Sequence, residues 1–239
     1  MGRFTESGVD MRRKVSRLKH GVFERSGEAA AGEAISAVRY NLIIGLALCW
    51  GFLANWWIVT QVPYESILSI HPIVFVLGYF AMAFSGVMIF ERSDSPLLSF
   101  LGYNLVVIPF GLVLNIAIRQ YDPVIVTEAI RVTGLVVLGM MALGSLVPAF
   151  FERIHRSLSM ALGIVIVVML VEIFVFRMTH GILDWAIVVI FCGYIGYDWA
   201  RANRIPKTVD NAIDSAAALY IDIINLFLRI LRILGRRRR

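Results

Sequence analysis

Residues 187–200 read IVVIFCGYIGYDWA, and residues 218–235 read ALYIDIINLFLRILRILG. Each stretch is mostly apolar but contains one aspartate, Asp198 in the first and Asp222 in the second. Because a turn with Pro206 separates them, the pattern predicts two antiparallel helices whose aspartates approach each other. A carboxylate at membrane depth costs about 2.5–3.5 kcal/mol on insertion scales, so each aspartate requires a partner or a watery cavity.

The rest of the chain has the composition of a membrane protein. Of its 239 residues, 59% are hydrophobic and 17% are charged, and the mean hydropathy is +0.76. A soluble domain carries roughly 25% charged residues, so a soluble globule is excluded. The net charge of +6 lies mainly in the two ends of the chain, which favours anionic lipids over nucleic acid as the partner of these basic tails.

Apolar runs broken by proline, glycine and charge predict seven hydrophobic helices, and therefore an all-α membrane protein. The predicted segments are 41–62, 71–90, 97–118, 124–146, 158–176, 182–200 and 212–234. We expect a basic cytoplasmic tail over residues 1–39, a seven-helix transmembrane domain over residues 40–235, and a short basic tail over residues 236–239.

The distribution of lysine and arginine predicts the orientation. These residues concentrate in the N-terminal tail and in the second, fourth and sixth connections, which places the N-terminus in the cytoplasm. The arginines from Arg229 to Arg239 conflict with this count, because seven full crossings would put them outside. The last segment either crosses fully with a basic outer tail or crosses only half of the membrane. A prokaryotic plasma membrane is the expected location.

The two aspartates carry the chemistry that the sequence suggests. Adjacent carboxylates in a site of low dielectric constant do not both ionise cheaply, so they tend to share a proton. When ionised, they offer the hard oxygen ligands that suit Ca²⁺. Competition between H⁺ and Ca²⁺ at Asp198 and Asp222 is therefore expected, with Ca²⁺ as a transported or regulatory ion and no tightly bound cofactor. Alternatively, each aspartate is satisfied separately by a tyrosine, by Asn225 or by backbone groups.

The stretch 218–235, with Gly-Tyr-Asp at residues 196–198, resembles the signature of the Bax inhibitor, or transmembrane Bax inhibitor motif, family. The resemblance implies a helical bundle around a hydrophobic last helix and a pH-sensitive calcium leak. It also implies a di-aspartyl sensor, which here is Asp198 with Asp222. Family members pair an arginine at the end of the second span with this sensor to latch the pore, and the nearest match is Arg92.

Further residues are expected to support this site. Tyr197 precedes Asp198, Asn225 follows Asp222 by three positions, and Glu172 is placed in the fifth segment, where it would line an outer vestibule for cations.

Two other function classes remain open. One is a membrane regulator that acts through contacts with other proteins, whose identity the sequence does not indicate. The other is an intramembrane aspartyl protease, because Tyr197-Asp198 resembles one element of that class. The second element, Gly-x-Gly-Asp, is missing, since Leu219, Tyr220 and Ile221 precede Asp222. We therefore expect no enzymatic activity, and favour a cation leak channel or exchanger.

Overall fold

The computed structural model describes residues 34–171 and 181–237, and within these ranges the chain forms helices without strands. Five of the described helices are long and apolar enough to cross a membrane. The prediction of an all-α membrane protein is confirmed. The helices are α1 (Ala37–Gln61), α2 (Tyr64–Leu68), α3 (Pro72–Arg92), α4 (Pro96–Ile118), α5 (Pro123–Leu146), α6 (Pro148–Val171), α7 (Gly181–Ala202) and α8 (Val209–Arg237).

Prolines mark where four of these helices begin. Proline suits the first turn of a helix because its missing N–H has no partner there in any case. At α5, the carboxylate of Asp122 accepts a hydrogen bond of 2.7 Å from the backbone N–H of Val124 and caps the helix. At α3, His71 Nδ1 accepts from the N–H of Ile73 in the same way. These local signals explain why the predicted boundaries of most segments lie within a few residues of the observed ones.

Two elements differ from the prediction. The short helix α2 was not expected, and α6 begins at Pro148 rather than at residue 158. Arg153 and Arg156 predict a connecting loop, but here the helix extends past the apolar region and carries these charged side chains. The last residues of the predicted fifth segment, 172–176, lie outside the described residues, as do residues 1–33 of the N-terminal tail.

Helix α8 lies at the centre of the bundle and packs against α1, α4, α5 and α7. Leu219, Tyr220 and Leu226 on this helix are fully buried, which confirms that the last helix is the central one. Its 29 residues correspond to about 43 Å at 1.5 Å per residue, whereas the hydrocarbon core of a bilayer is about 30 Å thick. The helix is therefore longer than the hydrocarbon core, but it is not among the five described helices that are both long and apolar enough to cross, so its length alone does not decide between the full and the half crossing.

Polar side chains join α8 and α4 to α1. The side-chain amide of Asn55 donates a hydrogen bond to the hydroxyl of Tyr220. Asn115 donates from Nδ2 to the carbonyl oxygens of Ile58 and Val62, at 3.1 and 3.0 Å. Such bonds between helices supply specificity where the surrounding lipid offers no hydrophobic driving force for association.

Helices α3 and α4 approach closely at a pair of glycines. A Cβ atom added at Gly86 would lie 2.5 Å from the carbonyl oxygen of Gly102, and one added at Gly102 would lie 2.7 Å from that of Gly86. Neither distance can accommodate a side chain without separating the helices. The two glycines thus allow the backbones to make direct contact, as small residues do in membrane helix pairs.

Candidate functional site

The structure brings Asp198 and Asp222 together. Asp198 lies four residues before the end of α7, and Asp222 lies near the middle of α8. Their carboxyl groups are hydrogen-bonded to each other across the contact between the two helices. Asp222 is only 6% exposed, and its Oδ2 has no hydrogen-bond partner in the described part of the chain. The buried pair therefore keeps one unused acceptor.

The turn between α7 and α8 sets this register. The hydroxyl of Thr208 accepts a hydrogen bond of 3.1 Å from the N–H of Asn211, in the manner of a helix N-cap. The side-chain amide of Asn211 donates in turn to the carbonyl of Pro206 at 2.8 Å. Because α8 starts directly after this turn, its residues run back along α7 and bring Asp222 level with Asp198.

Two further groups act electrostatically on Asp198, namely Arg201 from the last turn of α7 and His155 from α6. The imidazole of His155 also stacks on the ring of Tyr197, with 3.9 Å between the ring centroids and 11° between the planes. Tyr197, expected to support the aspartate pair, thus contacts the helix on the other side of α7. His155 was not predicted at this site, because the sequence suggested a loop there.

The other predicted residues lie elsewhere. Asn225 donates from Nδ2 to the carbonyl of Ile221 in its own helix, at 2.8 Å. Arg92 is exposed at the end of α3 and forms no ion pair with a described residue, so the structure does not join it to Asp198. Glu172 lies outside the described residues.

A polar cleft near the end of α7 is lined by Asp198, one member of the pair. Its volume of about 300 Å³ includes space open to solvent. Asp214, which the sequence analysis did not single out, contributes a carboxylate whose Oδ1 has no partner among the described residues. The sequence did contain a signal for Asp214. It lies four residues after Asp210 and eight before Asp222, a spacing that keeps the three aspartates near one face of the helix. The lining residues are Asp198, Arg201, Ile205, Asn211, Asp214, Ser215 and Ala218.

A second ionic cluster lies at the opposite end of α7, where three arginines of α8 surround Asp184. Arg229 and Arg232 approach Oδ1 of Asp184 at 3.2 and 3.3 Å, and Arg236 approaches Oδ2 at 3.0 Å. The side chain of Asp184 is 3% exposed. Asp184 therefore neutralises part of the positive charge at the end of α8. This is the charge that conflicts with the predicted orientation. The sequence analysis did not single out Asp184, because Asp184 and Arg236 are far apart in the sequence.

The two carboxyl groups of the aspartate pair are hard oxygen donors, but by themselves they do not form a complete cation site. Two carboxylates supply up to four oxygens, whereas Ca²⁺ takes six to eight. No group of three or more histidine, cysteine, aspartate or glutamate side chains is arranged around a metal position in the described ranges. Water and backbone carbonyls would have to complete the coordination, which is the arrangement expected of a weak, exchangeable ion site.

Several known membrane proteins are similar to this chain in sequence. An uncharacterized membrane protein of Vibrio cholerae serotype O1 is 33% identical over 114 residues, which are 47% of this chain and 50% of the relative. Bax inhibitor 1 of Schizosaccharomyces pombe is 34% identical over 130 residues, 52% of this chain and 47% of the relative. A BI1-like protein of Arabidopsis thaliana is 56% identical over 46 residues, 19% of this chain and 17% of the relative. The chain matches about half of the length of the first two relatives.

The match to a family extends further than any of these pairwise similarities. Residues 36–239 match the family described as inhibitor of apoptosis-promoting Bax1, and this range contains all eight described helices and the aspartate pair. The chain therefore belongs to the Bax inhibitor family of membrane proteins.

Proposed function

We propose that the protein is a pH-sensitive calcium leak channel or exchanger in which Asp198 and Asp222 bind the ion and sense protons. The observation that carries the proposal is the hydrogen-bonded contact between the two carboxyl groups at the α7–α8 interface. A contact between two carboxyl groups requires a proton or a cation between them, because two adjacent carboxylates repel each other strongly away from water.

The environment of the pair supports exchange of ions with the solvent. Asp198 lines a polar cleft that includes space open to solvent, and Asp222, its partner, has a carboxylate oxygen without a hydrogen-bond partner among the described residues. A cation that enters the cleft meets Asp198 first and can then replace the proton that the pair shares. Hard oxygen ligands favour Ca²⁺ over softer metals at such a position.

The central position of α8 supports a connection between ion binding and permeation. This helix packs against four others, so a change in the spacing of Asp198 and Asp222 must be accommodated by the core of the bundle. In this proposal, loss of the hydrogen bond between the carboxyl groups lets α8 move relative to α7 and opens a path for the ion.

Calcium flux into sealed vesicles tests the proposal. The full-length protein is reconstituted in liposomes that contain a fluorescent calcium indicator, beside protein-free vesicles and the variants Asp198→Asn, Asp222→Asn and Asp94→Asn. Asp94 is an exposed aspartate in the connection between α3 and α4 and provides the matched control for the loss of one charge. We expect flux from the wild type and from Asp94→Asn, with altered size and pH dependence in both variants of the pair.

Wild-type protein that gives no more flux than empty vesicles would overturn the proposal and favour a regulator that acts through protein contacts. If all three variants gave the same flux and the same pH profile, the aspartate pair would not be involved in transport.

A further inference from the structure

Arg201 occupies a distinctive position in the polar cleft that Asp198 lines. It lies one helical turn after Asp198, in the last turn of α7, and its side chain lines the cleft together with Asp198 and Asp214. Among the residues that line the cleft, these three carry charge. A cation in this cleft would therefore lie close to the guanidinium group as well as to the two carboxylates.

The guanidinium of Arg201 acts electrostatically on both carboxylates of the cleft. It forms no salt bridge within 4.0 Å with a described residue, so it compensates their charge without being held by either. Arg204, one turn further along the chain, differs in this respect because it forms an ion pair with Glu152 of α6. The two arginines are near each other in sequence and similarly exposed to solvent, but only Arg201 faces the cleft.

We propose that Arg201 determines the cation affinity of the cleft, by providing the counter-charge of Asp198 and Asp214 until a divalent cation takes its place. This inference rests on the proposed function, since it assumes that the cleft leads ions to Asp198 and Asp222. In this inference the guanidinium group competes with the incoming cation. Its repulsion lowers the affinity of the site, so that the bound ion can exchange.

The size of this effect depends on the charge of the ion. A unit charge about 8 Å from a bound divalent ion, at an effective dielectric constant of about 60, weakens its binding about tenfold. The logarithm of this factor is proportional to the valence of the ion, so a trivalent ion is affected more strongly. Since the Debye length is about 8 Å at physiological ionic strength and about 3 Å at 1 M, concentrated salt suppresses the effect. A merely structural role of Arg201 would produce neither dependence.

The experiment compares Arg201→Gln with Arg204→Gln, which removes the same charge from the same end of the bundle. Binding of Tb³⁺ to the purified full-length protein is followed by its luminescence, and binding of Ca²⁺ is measured by competition, at low salt and at about 1 M salt. We expect Arg201→Gln to raise the affinity about tenfold for Ca²⁺ and more for Tb³⁺ at low salt. We expect Arg204→Gln to stay within about twofold of the wild type, and Arg201→Lys to resemble the wild type.

Equal changes in Arg201→Gln and Arg204→Gln, or a change that does not grow with ion valence, would overturn the inference. If Asp222→Asn loses binding while Arg201→Gln binds as the wild type does, this inference fails and the proposed function stands. A wild-type protein that binds neither ion would instead contradict the proposed ion site, and with it the role of Arg201.

Discussion

Asp198 and Asp222 are hydrogen-bonded to each other although they belong to different helices, and the Oδ2 atom of Asp222 has no hydrogen-bond partner among the described residues. If the two carboxyl groups act as one ion site, as proposed, the effects of replacing them are not additive. We expect Asp198→Asn and Asp222→Asn each to lower the affinity for Ca²⁺ by at least about tenfold, and the double variant to lower it little further.

The same pair predicts the sign of the pH dependence. If Ca²⁺ binds the ionised carboxylates, as proposed, protons compete with it, so we expect the affinity for Ca²⁺ to fall as the pH is lowered and to rise as the pH increases. Calcium titrations in detergent between about pH 5 and about pH 8 measure this dependence. Affinity that is independent of pH in the wild type would contradict a shared proton, and unchanged affinity in both single variants would contradict a shared site.

The cluster around Asp184 predicts a loss of stability. In Asp184→Asn the guanidinium groups of Arg229, Arg232 and Arg236 lose a carboxylate that is 3% exposed. Breaking a buried ion pair costs about 3–5 kcal/mol, and partial exposure of the arginines reduces this to about 2–3 kcal/mol. The midpoint of thermal unfolding in detergent should fall by about 5–10 °C. The exposed Asp94→Asn is the control, and equal midpoints for the two variants would refute the stabilising role.

The contact between Gly86 and Gly102 predicts a second, independent effect on stability. Alanine at position 102 would place its Cβ 2.7 Å from a backbone oxygen, so α3 and α4 must separate. We expect Gly102→Ala to cost about 1–3 kcal/mol in the free energy of unfolding. Gly134 in α5 has nothing within 4 Å of an added Cβ, and alanine there gains helix propensity. A lower unfolding midpoint for Gly134→Ala than for Gly102→Ala would disprove the explanation.

Replacing Arg92 tests the latch that the family resemblance implies. In this structure Arg92 is exposed and has no ion-pair partner among the described residues. We therefore expect Arg92→Ala to leave both the affinity for Ca²⁺ and the leak within about twofold of the wild type. A larger leak that depends less on pH, with unchanged affinity, would instead support a latch that forms in another conformation of α3.

The charge distribution and the fold together predict which side each end of the bundle faces. The ion pair between Glu152 and Arg204 places the start of α6 and the end of α7 at the same end of the bundle, and the charge distribution predicts that this end is cytoplasmic. Single cysteines at positions 153 and 203, in a background without Cys49 and Cys192, should resist an impermeant thiol reagent applied to intact cells. A cysteine at position 120, between α4 and α5, should react. The reverse pattern would reject the orientation.

The sequence was most informative where local rules decide the structure. Prolines at helix starts and the ~20-residue length of the apolar runs located most segments, because both act within one helix. The approach of Asp198 to Asp222 was also predictable, since a short turn with Pro206 forces adjacent helices to be antiparallel.

Contacts between distant parts of the chain were not predictable in this way. The arginines of α8 and Asp184 meet only because two helices align along their whole length, and no spacing rule identifies such partners. His155 was missed for a related reason. The charged residues around it suggested a loop, whereas the folded chain places them at the polar end of a helix that packs beside Asp198.

The arginines around Asp184 have a mechanical consequence for α8. Their ion pairs with Asp184 hold one end of α8 against α7. At Asp222, by contrast, the contact with α7 depends on a proton or an ion between two carboxyl groups. Asp184 and Asp198 are 14 residues apart in α7, which is about 21 Å, so a tilt of α8 by about 5° about the end held by Asp184 displaces the helix by about 2 Å at the level of Asp198 and Asp222. Distances between spin labels on α7 and α8 should therefore change with Ca²⁺ near Asp198 and stay constant near Asp184. In the proposed mechanism, α8 would pivot about the end that Asp184 holds, and its middle, at Asp222, would move with the ion.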